Sequence, residues 1–190
     1  MLFANIVGGA AFFAAAAVAH PLAEAAAFLS TNPNLEISKL VINDTATGKT
    51  LLSFSVKNPE PLASQSVAEC RGEWDHTKKD WPVSNQALRC DKSQTITWFI
   101  DSWTSARDFV VGVQDRFDDP SVGKDPYDRV TTFSKFIVNE TYVHYDSPVS
   151  EAGSTGSTAP TALTESSESI SGTQIPDQMI YAPVYAVSAK

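Results

Sequence analysis

Apolar and polar positions alternate along most of the middle of this 190-residue chain. Leu52, Phe54 and Val56 are interleaved with Ser53, Ser55 and Lys57. Ile96, Trp98 and Ile100 sit among Thr95, Thr97 and Asp101, and Phe109, Val111 and Val113 repeat the pattern. A period of two sends successive side chains to opposite faces of an extended strand, so each segment predicts a half-buried strand. Leu35-Glu36-Ile37 and Leu40-Val41-Ile42 predict another before Asn43-Asp44, with a hairpin loop around Gly48. Val130, Thr132, Phe133 and Phe136 are less regular, and Tyr142-Val143-His144-Tyr145 closes the set. No stretch of residues 35–146 carries a long helical period. Short strands separated by Gly, Pro, Asn and Asp predict an all-β domain, an antiparallel barrel or sandwich of about 7–9 strands.

Three regions depart from this pattern. Between Cys70 and Cys90 the chain holds Trp74, Asp75, His76, Trp81 and Pro82 and is too polar for a continuous strand, which predicts a loop pinned at its base by the disulfide. In residues 147–173, 13 of 27 positions are Ser or Thr, too little apolar surface to offset the entropy of ordering. Residues 147–174 are therefore expected to be a disordered tail. Residues 175–190 regain Met179, Ile180, Tyr181, Val184 and Tyr185, and either add a short strand or stay mobile.

The N-terminus adds a destination. Residues 1–19 hold no charged side chain and eight alanines, and end in Ala17-Val18-Ala19 before His20-Pro21. That is the small-x-small pattern of a cleaved secretory signal peptide, with residues 20–34 as a flexible leader. Ala25-Ala26-Ala27 also permits a cut after Ala27, and a membrane anchor is the competing reading. Export to an oxidising space implies that the only two cysteines, Cys70 and Cys90, form a disulfide. Asn43-Asp44-Thr45 and Asn139-Glu140-Thr141 are sequons for glycosylation on the same route. With 14 basic against 22 acidic residues the net charge is −8, which speaks against nucleic acid and anionic membranes as partners.

The order of features across residues 35–146 resembles the fungal secreted β-barrel family of the Alternaria major allergen. The likeness rests on Ile-Ser-Lys-Leu-Val-Ile (37–42) and Leu-Ser-Phe-Ser-Val-Lys-Asn-Pro (52–59). It continues with the Trp/Pro-containing Cys70–Cys90 loop, Ile-Thr-Trp-Phe-Ile-Asp-Ser-Trp-Thr-Ser (96–105) and Asp-Phe-Val-Val-Gly-Val-Gln-Asp-Arg-Phe (108–117). Thr-Thr-Phe-Ser-Lys (131–135) and Thr-Tyr-Val-His-Tyr (141–145) complete it. The final strand lacks the cysteine found in relatives, and the Ser/Thr tail is an addition. The resemblance implies an extracellular effector-like protein without catalysis, binding a host protein or a phenolic small molecule; a cell-wall glycan is a further candidate partner.

Candidate chemistry is sparse. Cleavage after Ala19 would make His20 the N-terminus, and its amine and ring could hold copper with His144 or His76. Nothing around His20 resembles a lytic polysaccharide monooxygenase, and no motif calls for a cofactor. Asp115, Asp118, Asp119, Asp125 and Asp128 cluster in sequence as calcium ligands do, but without EF-hand spacing, and Arg116, Lys124 and Arg129 partly neutralise them. Asp80, Asp91, Asp101 and Asp108 offer carboxylates for a glycosidase pair, with nothing to single out two of them. Trp74, Trp81, Trp98, Phe99 and Trp103 could form a platform for sugars or phenols. By alternation Trp98 points inward, which leaves Phe99 and Trp103 as the expected ligand patch. The leading expectation is a secreted non-enzymatic binding barrel. The alternatives are an extracellular copper- or carboxylate-dependent enzyme acting on polysaccharide and a cell-wall structural protein.

Overall fold

A computed structural model describes residues 34–64, 66–146 and 169–189. The expected signal peptide, the leader up to residue 33 and residues 147–168 of the expected tail lie outside these. The described chain forms ten strands: β1 Asn34–Asp44, β2 Lys49–Lys57, β3 Ala68–Asp75, β4 Leu88–Arg89, β5 Thr97–Ser105, β6 Asp108–Asp118, β7 Arg129–Val138, β8 Val143–Tyr145, β9 Ile170–Gln174 and β10 Ile180–Ala189. One 3₁₀ turn, Ser84–Gln86, precedes β4.

Eight strands run round a nearly closed antiparallel barrel in the order β3-β2-β1-β10-β7-β6-β5-β4. The alternative of a sandwich is thereby set aside. On the edge away from β2, β1 divides its length between two partners. Asn34–Ile37 pair with β10, and Val41–Asp44 pair with β9, which also carries β8. The changeover falls at a bulge between Ser38 and Val41, where Lys39 adopts a left-handed φ of 55°. There the Leu40 N–H donates to Gln174 Oε1 at 3.0 Å.

The inner face is lined by the positions that alternation selects. Ile37, Leu40, Ile42, Leu52, Val56, Trp98 and Val111 are all fully buried. Trp98 meets Phe54 edge-on at 5.5 Å, and Phe54 meets Phe136 likewise. Room for Trp98 comes from Gly72 on β3, where a Cβ would lie 2.7 Å from the indole.

The seam where the barrel closes lies between β3 and the β4–β5 edge. Backbone pairing across it is one bridge, in which Glu69 N–H donates to the Asp91 carbonyl (3.2 Å) and Asp91 N–H to the Glu69 carbonyl (2.6 Å). The Cys70–Cys90 disulfide lies beside that bridge.

Two expectations change, and one open alternative is decided. Residues 68–75 are a strand, not part of a loop, because Ala68, Cys70 and Trp74 are buried while the intervening Glu69, Arg71 and Glu73 face out. Residues 170–174, assigned to the tail, form β9, whose Gly172 admits the Tyr145 ring at 2.7 Å from a notional Cβ. Residues 180–189 are ten residues of central strand, inserted between β1 and β7.

Candidate functional site

The strand registers place the 44–49, 75–87 and 105–108 connections at one end of the barrel, with the 138–143 connection. All four tryptophans gather towards this end. Trp74 is the penultimate residue of β3 and points inward, 6.4 Å from Trp98. Bulges between Ile100 and Ser102 and between Trp103 and Ser105 twist the end of β5. They turn Trp103 against its register partner Phe109 at 5.0 Å and against Trp74, edge-on, at 5.5 Å. Trp103 also stacks with Trp81 (5.9 Å, 26° between planes) and with His76 (6.3 Å, 18°). Trp74 is buried, whereas Trp81, Trp103 and His76 are each half-buried. The rings therefore root in the core and emerge at the barrel mouth.

The loop that carries His76 and Trp81 is pinned at both ends. Asp75 accepts from the Thr77 N–H (3.0 Å) and hydroxyl (2.5 Å) and pairs with Lys78 (2.8 Å). These partners, Lys78 foremost, hold its carboxyl well below the usual carboxylate range. Asp80 Oδ1 accepts from the Asp75 N–H at 2.6 Å, and the Pro82 carbonyl accepts from the Ile100 N–H at 2.7 Å, tying the loop to β5.

His76 is held by a carboxylate. Asp44 ends β1, Thr50 faces it across the β1–β2 register, and His76 follows β3. Asp44 Oδ1 accepts from the Thr50 hydroxyl at 2.6 Å and lies 3.0 Å from His76 Nδ1. Thr50 Oγ1 is itself 3.1 Å from Nδ1. Two donors converge on one carboxylate oxygen, so Nδ1 carries a proton. In the neutral ring Nε2 is then the acceptor, and the ring as a whole stacks on Trp103. The arrangement offers flat apolar rings and one fixed acceptor, which suits a molecule with an aromatic or sugar face and a hydroxyl.

The other expected site residues are placed as follows. Trp103 lies in the cluster, but Phe99 does not. Phe99 is only 6% exposed and lies across Gly112, where a Cβ would stand 2.4 Å from the ring. The outer-face assignment survives for Phe99, but the exposed patch does not, because the glycine opposite leaves a trough that the ring fills. His144 is exposed on β8, and His20 lies outside the described residues. Among the described residues no three His, Cys, Asp or Glu side chains gather to hold a metal ion. The calcium loop is thereby dispersed: Asp118 approaches Arg129 (3.7 Å), and Asp119 accepts from the Ser121 N–H. Asp101 pairs with Lys135 at 2.8 Å, Asp91 lies in the seam bridge, Asp108 opens β6, and Asp80 accepts from the Asp75 N–H. Asn43 is exposed on β1 and accepts from the Ser171 hydroxyl (2.8 Å); Asn139 is half-buried and accepts from the Thr141 N–H.

The opposite end is polar inside. Asp115, 1% exposed, accepts from the Asn58 amide at 2.7 Å. Burial pushes its carboxyl upward despite the hydrogen bonds from Asn58 and Thr95. Its Oδ1 and the nearby Ser134 hydroxyl are buried without a partner among the described residues.

No protein-family model, curated protein or solved structure matches the chain. Among the described residues no helix is long and apolar enough to cross a membrane.

Proposed function

We propose that this is a secreted, non-enzymatic β-barrel of the allergen-like kind. On this reading it binds a phenolic small molecule, a cell-wall glycan or a host protein through the mouth formed by Trp81, Trp103 and His76. The observation that carries the reading is the stack itself, in which rings rooted in the core stay half-exposed beside a histidine fixed by Asp44. Flat rings cover sugar faces and phenolic rings alike, and His76 Nε2 would accept from the hydroxyl that both carry. The disulfide and the exposed Asn43 sequon fit an extracellular location.

One observation favours the enzymatic alternative: a carboxylate-held histidine is the arrangement of a general base. Thr50, however, sits on the Nδ1 side, so it is not the hydroxyl that Nε2 would activate. The binding reading needs no such partner.

Calorimetric titration of the intact protein with a neutral polyphenol and with a soluble β-glucan oligosaccharide tests the proposal. Saturable binding of one of them, lost in Trp103→Ala and weakened in His76→Ala, supports it. Binding that survives Trp103→Ala removes the site, and turnover of either compound restores the enzymatic alternative.

A further inference from the structure

A second hollow lies on the outer wall, towards the end of the barrel opposite the tryptophans. It encloses about 300 Å³ and is lined by Gln114 and Arg116 of β6, Arg129, Thr131 and Phe133 of β7, and Ser188 of β10. The registers explain the grouping: Arg116 faces Thr131, Gln114 faces Phe133, and Ser188 faces Thr131 from the other side. Two guanidiniums therefore flank one small concavity in a chain whose net charge is −8. Little neutralises them. Arg129 reaches Asp118 only through Nε, at 3.7 Å, and Arg116 has no ion pair among the described residues. Phe133 supplies a half-buried ring, with Tyr185 6.5 Å away. Gln114, Thr131 and Ser188 add neutral hydrogen-bonding groups.

Guanidinium forks match the two oxygens of a carboxylate, and an aromatic wall favours a ring attached to it. The volume falls at the lower end of the range for small-molecule sites, enough for a single ring with its acid group. We propose that this hollow binds a small aromatic carboxylate, with Arg116 and Arg129 on the carboxylate and Phe133 against the ring. The site is separate from the tryptophan mouth and does not depend on it.

The test is a heteronuclear NMR titration of the intact protein at low salt, using benzoate, benzyl alcohol and inorganic phosphate as probes. Benzoate is expected to saturate, moving the amides of Arg116, Thr131 and Ser188, and to weaken as salt rises. Arg116→Gln should weaken it ~10- to 100-fold, the effect of losing a charge-assisted hydrogen bond, and Arg116→Lys less. Trp103→Ala should leave it unchanged. Benzyl alcohol binding as tightly as benzoate would overturn the role of the arginines. Phosphate binding as tightly would overturn the aromatic specificity. Absence of saturation, shifts confined to the tryptophan end, or an unaltered affinity in a folded Arg116→Gln protein would overturn the site itself.

Discussion

The two halves of the barrel seam are closed by different means. Near the start of β3 the closure is covalent and backbone-based: the Cys70–Cys90 bridge and the paired amides of Glu69 and Asp91. Near the end of β3 the closure is made by side chains: Trp74 against Trp98 and Trp103, with Trp81 and His76 stacked outside. The indole N–H groups of Trp74 and Trp98 are buried without a partner among the described residues, so ring packing, with the single Ile100–Pro82 backbone bond, holds this half. A disulfide fixes a seam and offers nothing to a ligand. A ring stack closes the seam while keeping half-buried aromatic surface at the mouth. The difference shows how one barrel is fastened at one end of its seam while aromatic surface stays at the other.

Removing the covalent half should have the largest effect. Cys70→Ser with Cys90→Ser opens a 20-residue loop in the unfolded chain and should cost about 3 kcal/mol in denaturant unfolding. If the halves are independent, binding at the tryptophan mouth survives in the fraction that remains folded. Breaking the ring half should show the reverse balance. Trp103 is half-exposed, so Trp103→Ala should cost about 1–2 kcal/mol, less than a fully buried tryptophan, while binding is lost. A destabilisation as large as the disulfide's would mean that the stack is structural.

The smallest expected effect concerns the polar interior near the covalent half. Burial raises the folded-state pKa of Asp115 above its unfolded value, so the folded protein holds this proton to higher pH. Stability is then highest below the unfolded pKa. It falls as pH rises through the window up to the folded pKa, and is flat above it. Asp115→Asn should remove this contribution, changing stability at neutral pH by within about 1 kcal/mol of stabilisation. Unfolding midpoints measured from pH 3 to 8 check this; an unchanged pH profile would show that Asp115 is not the group that titrates.

Much of the wall was legible in the sequence. β2, β5 and β6 follow the alternation because each has one face in the core. β3 was obscured because its inward residues are Ala68, Cys70, Gly72 and Trp74, mostly small, while its outward ones are charged. The period of two is present, but hydrophobicity alone understates it. β9 reads Ile-Ser-Gly-Thr-Gln, and its strand character comes from pairing with β1, some 130 residues earlier, which local pattern does not register. The sequence singles out Trp103 and Phe99 together, yet Trp103 is half-buried in the ring stack while Phe99 is buried. Alternation assigns a face, whereas burial on the outer face depended on Gly112 in the next strand. The Asp44–Thr50–His76 contact was half visible: a hairpin across residues 45–49 sets Asp44 opposite Thr50. The addition of His76 requires β3, where the sequence predicts a loop.

Residue-resolved hydrogen exchange in wild type and Trp103→Ala tests the division of the seam most directly. Two amides report on it, Ile100, which donates to the Pro82 carbonyl in the ring-closed half, and Asp91, which donates to the Glu69 carbonyl beside the disulfide. Trp103→Ala should speed exchange at Ile100 about tenfold or more and leave Asp91 unchanged, because local opening differs between the halves. Equal acceleration at both amides, or none at Ile100, would contradict the account.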